Sequence, residues 1–142
     1  MHEKTTHEKT TVETMIAALD VGRTRSAGES GMAKLTPLHR EVVSDMPAQP
    51  EQEVRVLEAV LLPGDVTPRH SQRHPVTVYM LEGVFTLALD DRAPVAIAAG
   101  EVFVEPAGIG MTGTNRGEVP ARMALFYVCA PDEPFADPLP PA

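Results

Sequence analysis

Residues 62–83 read LPGDVTPRHSQRHPVTVYMLEG, and this stretch decides the fold class. It opens with a Pro-Gly turn signal, passes two histidines, and continues into a run of β-branched and apolar residues at 76–81 that ends at Glu82-Gly83. This order predicts a strand with imidazoles near its entrance. Because side chains alternate along a strand, an extended chain from residue 70 onward places six residues on one face. These are His70, Gln72, His74, Val76, Val78 and Met80. Two polar imidazoles above an apolar floor suit the mouth of a small barrel.

Composition limits the partners of the chain. The 142 residues are enough for one domain, and 20 acidic against 12 basic residues give a formal charge of −8. Since no dense Lys/Arg cluster is present, neither nucleic acid nor an anionic membrane is an expected partner. No apolar run approaches the length of a membrane span, and the N-terminus lacks the apolar core of a signal peptide. We therefore expect a cytoplasmic protein, with its one cysteine, Cys129, buried in a strand.

The chain is predicted to consist of a flexible extension and one folded domain. Residues 2–11 contain the same five-residue word twice and no apolar residue, so they are expected to be disordered. Residues 12–21 have the spacing of a short helix, and residues 22–31 have the composition of a linker. We assign residues 1–31 to a dispensable extension. Residues 32–142 form the folded domain, which ends in a Pro-rich tail that is expected to lie extended along the surface or along a partner subunit.

From residue 35 onward, strand-length runs separated by turn signals predict an all-β sandwich or barrel. None of the runs has a convincing helical period. The predicted strands are residues 40–44, 54–62, 76–81, 84–89, 95–98, 102–105, 111–114 and 122–129.

Two spaced signatures then resemble the sequence motifs of the cupin superfamily. The first motif has Gly64, five residues, His70, one residue, Gln72, three residues, Val76, six residues and Gly83. The second has Gly100, five residues, Pro106, one residue, Gly108, two residues, Met111, three residues and Asn115. The resemblance covers roughly residues 53–130. It implies an RmlC-like double-stranded β-helix, which is a jelly-roll barrel with a ligand pocket inside.

The metal-ligand positions of the cupin pattern are mostly replaced in this sequence. The resemblance implies two histidines and a glutamate in the first motif and a third histidine in the second. Here His70 stands at the first of these positions, while Gln72, Val76 and Met111 occupy the other three. A neutral amide is a weak donor, valine cannot ligate, and a thioether favours soft ions.

His74 keeps a metal site open. It lies four residues beyond His70, about 13 Å along a straight strand, so both can reach one ion only if the chain bends. Residues 71–73 and Pro75 can make such a bend. A compact site of His70, His74, Met111 and Gln72 would then suit a divalent or soft transition metal, with copper, zinc, nickel and iron as the candidates. In the alternative, no metal binds, His70 is a hydrogen-bonded pocket residue and His74 lies exposed in a loop.

Other residues are candidates for the pocket. Val76, Val78 and Met80 are expected to form its apolar wall. Glu58 interrupts an apolar strand and is expected to point inward, with Arg55 or Arg122 as its partner or as the partner of an anionic ligand. Glu105 flanks the second motif and is not expected to touch a ligand.

Two functional hypotheses follow from the resemblance. One is a metal-dependent enzyme that acts on a small organic molecule, as a dioxygenase, isomerase or lyase, with the metal held by His70 and His74. The other is a metal-free cupin that binds a small ligand, with His70 as its only strong acid–base candidate. The resemblance also implies a homodimer, since cupin barrels commonly pair.

Overall fold

The computed structural model describes residues 31–142. The chain divides into two compact units, Met1–Arg40 and Glu41–Ala142. Of the first unit, the described residues 31–40 are exposed and carry no helix or strand. The predicted helix at residues 12–21 and the extension at residues 1–31 lie outside the described residues, apart from residue 31, so both stay predictions.

The second unit is built from strands alone, as far as the described residues go. Two antiparallel sheets have the strand orders β1-β8-β3-β6 and β5-β4-β7-β2-β9. The strands are β1 (Glu53–Leu61), β2 (His70–Ser71), β3 (Val76–Glu82), β4 (Val84–Leu89), β5 (Val95–Ala98), β6 (Val102–Glu105), β7 (Met111–Thr114), β8 (Ala121–Cys129) and β9 (Asp137–Pro138). The predicted all-β class is confirmed. Residues 31–142 contain no helix of the length and apolar character needed to cross a bilayer.

Seven of the eight predicted strands form within one residue of their predicted bounds. The strand predicted at residues 40–44 is wrong, because no strand forms there and Val42 is fully exposed. An apolar pair such as Val42-Val43 favours a strand only where a partner covers one face. The two-residue strands β2 and β9 carry too little sequence to be predicted.

The core lies between the two sheets. Val78, Met80 and Met123 face it from the four-stranded sheet, and Phe85, Leu87 and Met111 face it from the other. Each such side chain stabilises the fold by about 2 kcal/mol through its removal from water.

Two glycines allow close approaches that shape the barrel. Gly83 has a φ of 71°, and a Cβ there would lie 2.5 Å from the Pro120 carbonyl oxygen, so the chain can pass from β3 to β4 only with glycine. A Cβ at Gly113 would lie 2.3 Å from the ring of Phe85. Gly113 therefore gives Phe85 its place between the sheets.

Candidate functional site

A cavity of about 410 Å³ lies inside the barrel. Its walls are largely apolar, and polar groups are few. The lining residues come from β1 (Ala59, Leu61), from the segment leading into β2 and just past it (Thr67, Pro68, Arg69, His70, Gln72), from β4 (Phe85, Leu87), from β6 (Glu105), from β8 (Met123, Leu125) and from the C-terminal segment (Phe135, Ala136, Pro138). A concave apolar space with a few polar groups is the usual form of a small-molecule site.

His70 lies at this cavity, with a defined ring orientation. Its Nδ1 is 2.7 Å from the Pro68 carbonyl oxygen. Because a carbonyl can only accept, Nδ1 carries a hydrogen, and in the neutral imidazole Nε2 then keeps its lone pair. His70 is also the register partner of Met111 on β7, so the two motifs meet on neighbouring strands.

Gln72 and Glu105 form a buried polar pair in the cavity wall. Gln72 is 1% exposed and Glu105 is 5% exposed. The Gln72 Nε2 donates to Glu105 Oε1 across 3.4 Å. The other amide atom, Gln72 Oε1, has no hydrogen-bond partner among the residues that the structure describes. A buried acceptor without a partner costs about 1–3 kcal/mol of stability.

The environment of Glu105 favours its neutral form. Burial raises the pKa of its carboxyl to about 7, and the hydrogen bond from Gln72 opposes that rise only in part. Near neutral pH the group therefore exists in both forms, and as an acid it can donate a hydrogen bond.

Glu105 lies inward and lines the cavity, a position that its place beside the second motif did not predict. It is the register partner of Val76, which is fully buried, and residues directly opposite one another in a ladder share a face. Glu105 thus lies across from the position where the cupin pattern has its glutamate. Strand β6 reads VFVE, with two valines on one face and Phe103 and Glu105 on the other, so alternation alone could not assign its inward side.

His74 is not in the cavity, which corrects the predicted compact site. Its Nδ1 is 2.7 Å from the Asp45 carbonyl oxygen and its Nε2 is 3.1 Å from Glu133 Oε2. Both ring nitrogens therefore face acceptors of the protein. The bend at residues 73–74 is present, but it turns His74 toward Glu133 and Tyr127 rather than toward His70.

The three residues predicted to form the apolar wall of the pocket do not line the cavity. Val76, Val78 and Met80 are fully buried on the inward face, as their alternation predicts. The cavity is lined instead by residues of other strands, among them β1, β4 and β8. Met111 likewise belongs to the core and does not line the cavity.

Glu58 and Arg55 also lie away from the cavity. Glu58 is exposed on the outer face, with Arg122 Nη1 at 3.9 Å, because Ala59 and Leu61 define the inward parity of β1. Arg55 has the inward parity but forms an ion pair with Glu53 near the end of the barrel. The prediction that Glu58 points into the barrel is therefore wrong. Arg122 also lies close to Glu82, with 3.6 Å between its Nε and the Glu82 Oε2.

The C-terminal segment, residues 131–138, closes one side of the cavity. Phe135 stands edge-on to the ring of Tyr127 and lines the cavity as well. Arg73 holds the segment with two hydrogen bonds of 3.0 Å to Asp137 and one of 3.3 Å to Glu133. The predicted extended tail therefore pairs through β9 with β2 of its own chain.

The residues present do not fit the metal of the cupin pattern. His70 alone retains a ligand type at the four motif positions, and His74 is bound to protein acceptors. Within residues 31–142, no three side chains of the histidine, cysteine, aspartate or glutamate types are grouped to hold a metal ion.

Solved structures share the architecture of the barrel. An RmlC-like cupin family protein from Methanocaldococcus jannaschii, with a double-stranded β-helix fold, matches with a TM-score of 0.50 and 22% identity, over 72% of this chain and 94% of that one. A cupin-like protein from Thermotoga maritima matches with a TM-score of 0.53 and 16% identity, over 61% and 64%. A DMSP lyase from Ruegeria pomeroyi matches with a TM-score of 0.52 and 13% identity, over 59% of this chain but only 42% of the lyase. At these identities the likeness shows the fold alone.

The sequence comparisons agree with the architecture. No curated protein matches the sequence. The family model of the cupin domain matches residues 57–129, which is more than half of the chain and includes both spaced motifs. The chain therefore belongs to the cupin domain family.

Proposed function

We propose that this cupin binds a small, largely apolar organic molecule inside its barrel, without the metal of the family pattern. The observation that carries the proposal is the cavity of about 410 Å³, whose apolar walls surround the Gln72–Glu105 pair. Cavities of roughly 300–1,000 Å³ with a few placed polar groups are typical of small-molecule sites.

The test uses N-phenyl-1-naphthylamine, a neutral apolar dye that fluoresces when it leaves water. We expect about one dye to bind per chain. Ala59→Trp should abolish binding, because Ala59 lines the cavity and the larger ring would fill it. Val60→Trp is the matched control, since the neighbouring residue on β1 faces outward and is half exposed. Failure of the wild-type protein to bind the dye, or equal binding by both variants, would contradict the proposal.

A second candidate function is proton transfer to and from the bound molecule. It is favoured by one specific observation, namely that the free Nε2 of His70 and the acid form of Glu105 belong to the same apolar cavity. In this reaction His70 would take a proton from the carbon next to a carbonyl group, while Glu105 donates a hydrogen bond to the carbonyl oxygen. A proton that has exchanged with solvent at His70 later returns to the same carbon, so no oxidant or reductant is needed.

This candidate predicts catalysed isotope exchange. The methyl protons of 2-acetonaphthone in D₂O should be replaced faster with the wild-type protein than without it, as followed by NMR. His70→Gln should remove the acceleration, whereas Glu58→Gln, on the outer face, should leave it unchanged. If the wild-type protein does not accelerate exchange into a bound ketone, binding is the better description of the function.

We further propose that the chain forms a homodimer through the outer face of the four-stranded sheet. Support comes from the exposure of Val54 (73%), Val56 (62%) and Phe126 (44%) on that face, where β1 is also an edge strand. Light scattering should give twice the 15.3 kDa of the chain, and Val56→Glu should give the single-chain mass. A wild-type mass of one chain would overturn this proposal.

A further inference from the structure

Gln72 Oε1 is a buried acceptor that the fold leaves unused. The side chain is 1% exposed and lines the cavity, yet this oxygen has no hydrogen-bond partner within the described part of the chain. Its own amide nitrogen is committed to Glu105. Since buried acceptors in folded proteins are nearly always paired, a donor on a bound molecule is the natural partner of this oxygen.

Glu105 supplies the complementary group. Its carboxyl is in hydrogen-bond contact with Gln72, so a ligand that meets both side chains must present its polar groups on adjacent atoms. In its acid form the carboxyl carries one O–H donor. The pair therefore offers one acceptor and one donor side by side.

The charge of the surroundings indicates an uncharged ligand. The other ionisable side chains that line the cavity are Arg69 and His70. Arg69 is already paired with Asp90 and donates to the Pro140 carbonyl oxygen at 2.8 Å. The linings from β1, β4, β8 and the C-terminal segment are apolar, so a buried ionic group would have little to compensate its lost hydration.

We propose that Gln72 and Glu105 form a two-point recognition site for an uncharged ligand that carries a hydrogen-bond donor next to a carbonyl acceptor. Amides and hydroxy ketones are the matching chemical classes. The ligand N–H or O–H donates to Gln72 Oε1, and the Glu105 O–H donates to the ligand carbonyl oxygen. This inference rests on the proposed function, because it requires that the cavity takes a small molecule.

The test compares 2-naphthamide with 2-acetonaphthone, which have nearly the same shape and share the carbonyl group. Only the amide has N–H donors. Dissociation constants are measured at pH 6 by displacement of N-phenyl-1-naphthylamine, and the ratio of ketone to amide constants is compared between proteins. Gln72→Met should lower this ratio by at least about tenfold, since one hydrogen bond to the amide is lost. Glu58→Gln should leave the ratio as it is in the wild type.

A second variant keeps the test informative if Gln72→Met does not fold. Wild-type affinity for both probes should fall by up to about tenfold between pH 6 and pH 8, as the Glu105 carboxyl loses its proton. Glu105→Gln retains an N–H donor at every pH, so its affinity should not fall. A decline that persists in Glu105→Gln would contradict the assigned role of Glu105.

The outcomes separate this inference from the proposed function. If the dye binds the wild-type protein but the ketone-to-amide ratio is the same in Gln72→Met, the two-point recognition is wrong and the cavity function stands. If neither the dye nor the two naphthalene probes binds, both are wrong.

Discussion

Two buried side-chain amides of the same barrel, those of Asn115 and Gln72, differ in how completely they are hydrogen-bonded. Both are 1% exposed. The Asn115 Nδ2 donates to the carbonyl oxygens of Leu61 (2.9 Å) and Val119 (2.8 Å), and its Oδ1 accepts from the Gly117 amide at 2.9 Å. Gln72 makes one long bond, to Glu105.

The difference separates a structural residue from a binding residue. Asn115 ties the end of β1 to the loop after β7, and every one of its contacts is to the backbone. Gln72 faces open space and another polar side chain. A buried amide that stabilises the fold has its partners in the chain, whereas one that binds a ligand keeps a polar atom unpaired until the ligand arrives.

The largest expected effect is on the stability of Asn115→Leu. This change leaves two carbonyl oxygens and one amide without partners, so the free energy of unfolding should fall by roughly 3–5 kcal/mol. Gln72→Met, which replaces the other amide by an apolar chain of similar shape, should change it by less than about 1 kcal/mol. Urea denaturation measures both. Comparable losses of stability in the two variants would contradict the distinction between a structural amide at residue 115 and a binding amide at residue 72.

The next largest effect is the pH dependence that Glu105 gives to the free energy of unfolding. Its pKa is raised from 4.5 to about 7 by burial, so between these values the unfolded chain releases a proton that the folded chain keeps. Stability should therefore fall as pH rises through this window, by about 3 kcal/mol in all. Glu105→Gln should remove this loss. Unfolding free energies at pH 4.5 and pH 8 for the variant, the wild type and Glu58→Gln test the prediction, and parallel curves for all three would contradict it.

A smaller effect is expected when Gln72→His restores an imidazole to the cupin motif. The variant would bring a second imidazole beside Glu105, with His70 two residues earlier in the lining of the same cavity, and two imidazoles with one carboxylate suit zinc or nickel. Affinity for Zn²⁺ should rise at least about tenfold, or roughly 1.4 kcal/mol. Metal analysis after dialysis measures it, with Gln72→His/Glu105→Gln as the control. Equal zinc in both would mean that Glu105 is not a ligand.

The smallest effect is expected at the surface anchor of the C-terminal segment. Arg73→Ala removes the hydrogen bonds to Asp137 and Glu133, and because Arg73 and Asp137 are exposed, the midpoint of urea unfolding should hardly move. The dye should leave the cavity about two- to threefold faster, because Phe135 is held less firmly. Arg92→Ala, which removes a similar pair with Asp91, is the control and should not change the dissociation rate.

The sequence was most informative about strands and least informative about side chains at strand ends. Seven strands were predictable because turn signals bracket each of them, and the inward burial of Val76, Val78 and Met80 follows from alternation. His74 has the same parity but ends beside Glu133, since the bend at residues 73–74 is not encoded by alternation. The inward position of Glu105 does not follow from alternation, because both faces of β6 contain apolar residues.

Spacing and residue type are local properties, so they are enough to predict the all-β class, the cupin motifs and the replacement of most metal-ligand positions. The folded chain is needed to show that Glu105 meets Gln72, that His74 is held by Asp45 and Glu133, and that the C-terminal segment forms a cavity wall. The hydrogen bonds among them join residues that are 29 to 59 positions apart in the chain, and the C-terminal segment returns to pair with β2. Such contacts depend on the register of the strands and on how the two sheets close around a shared core.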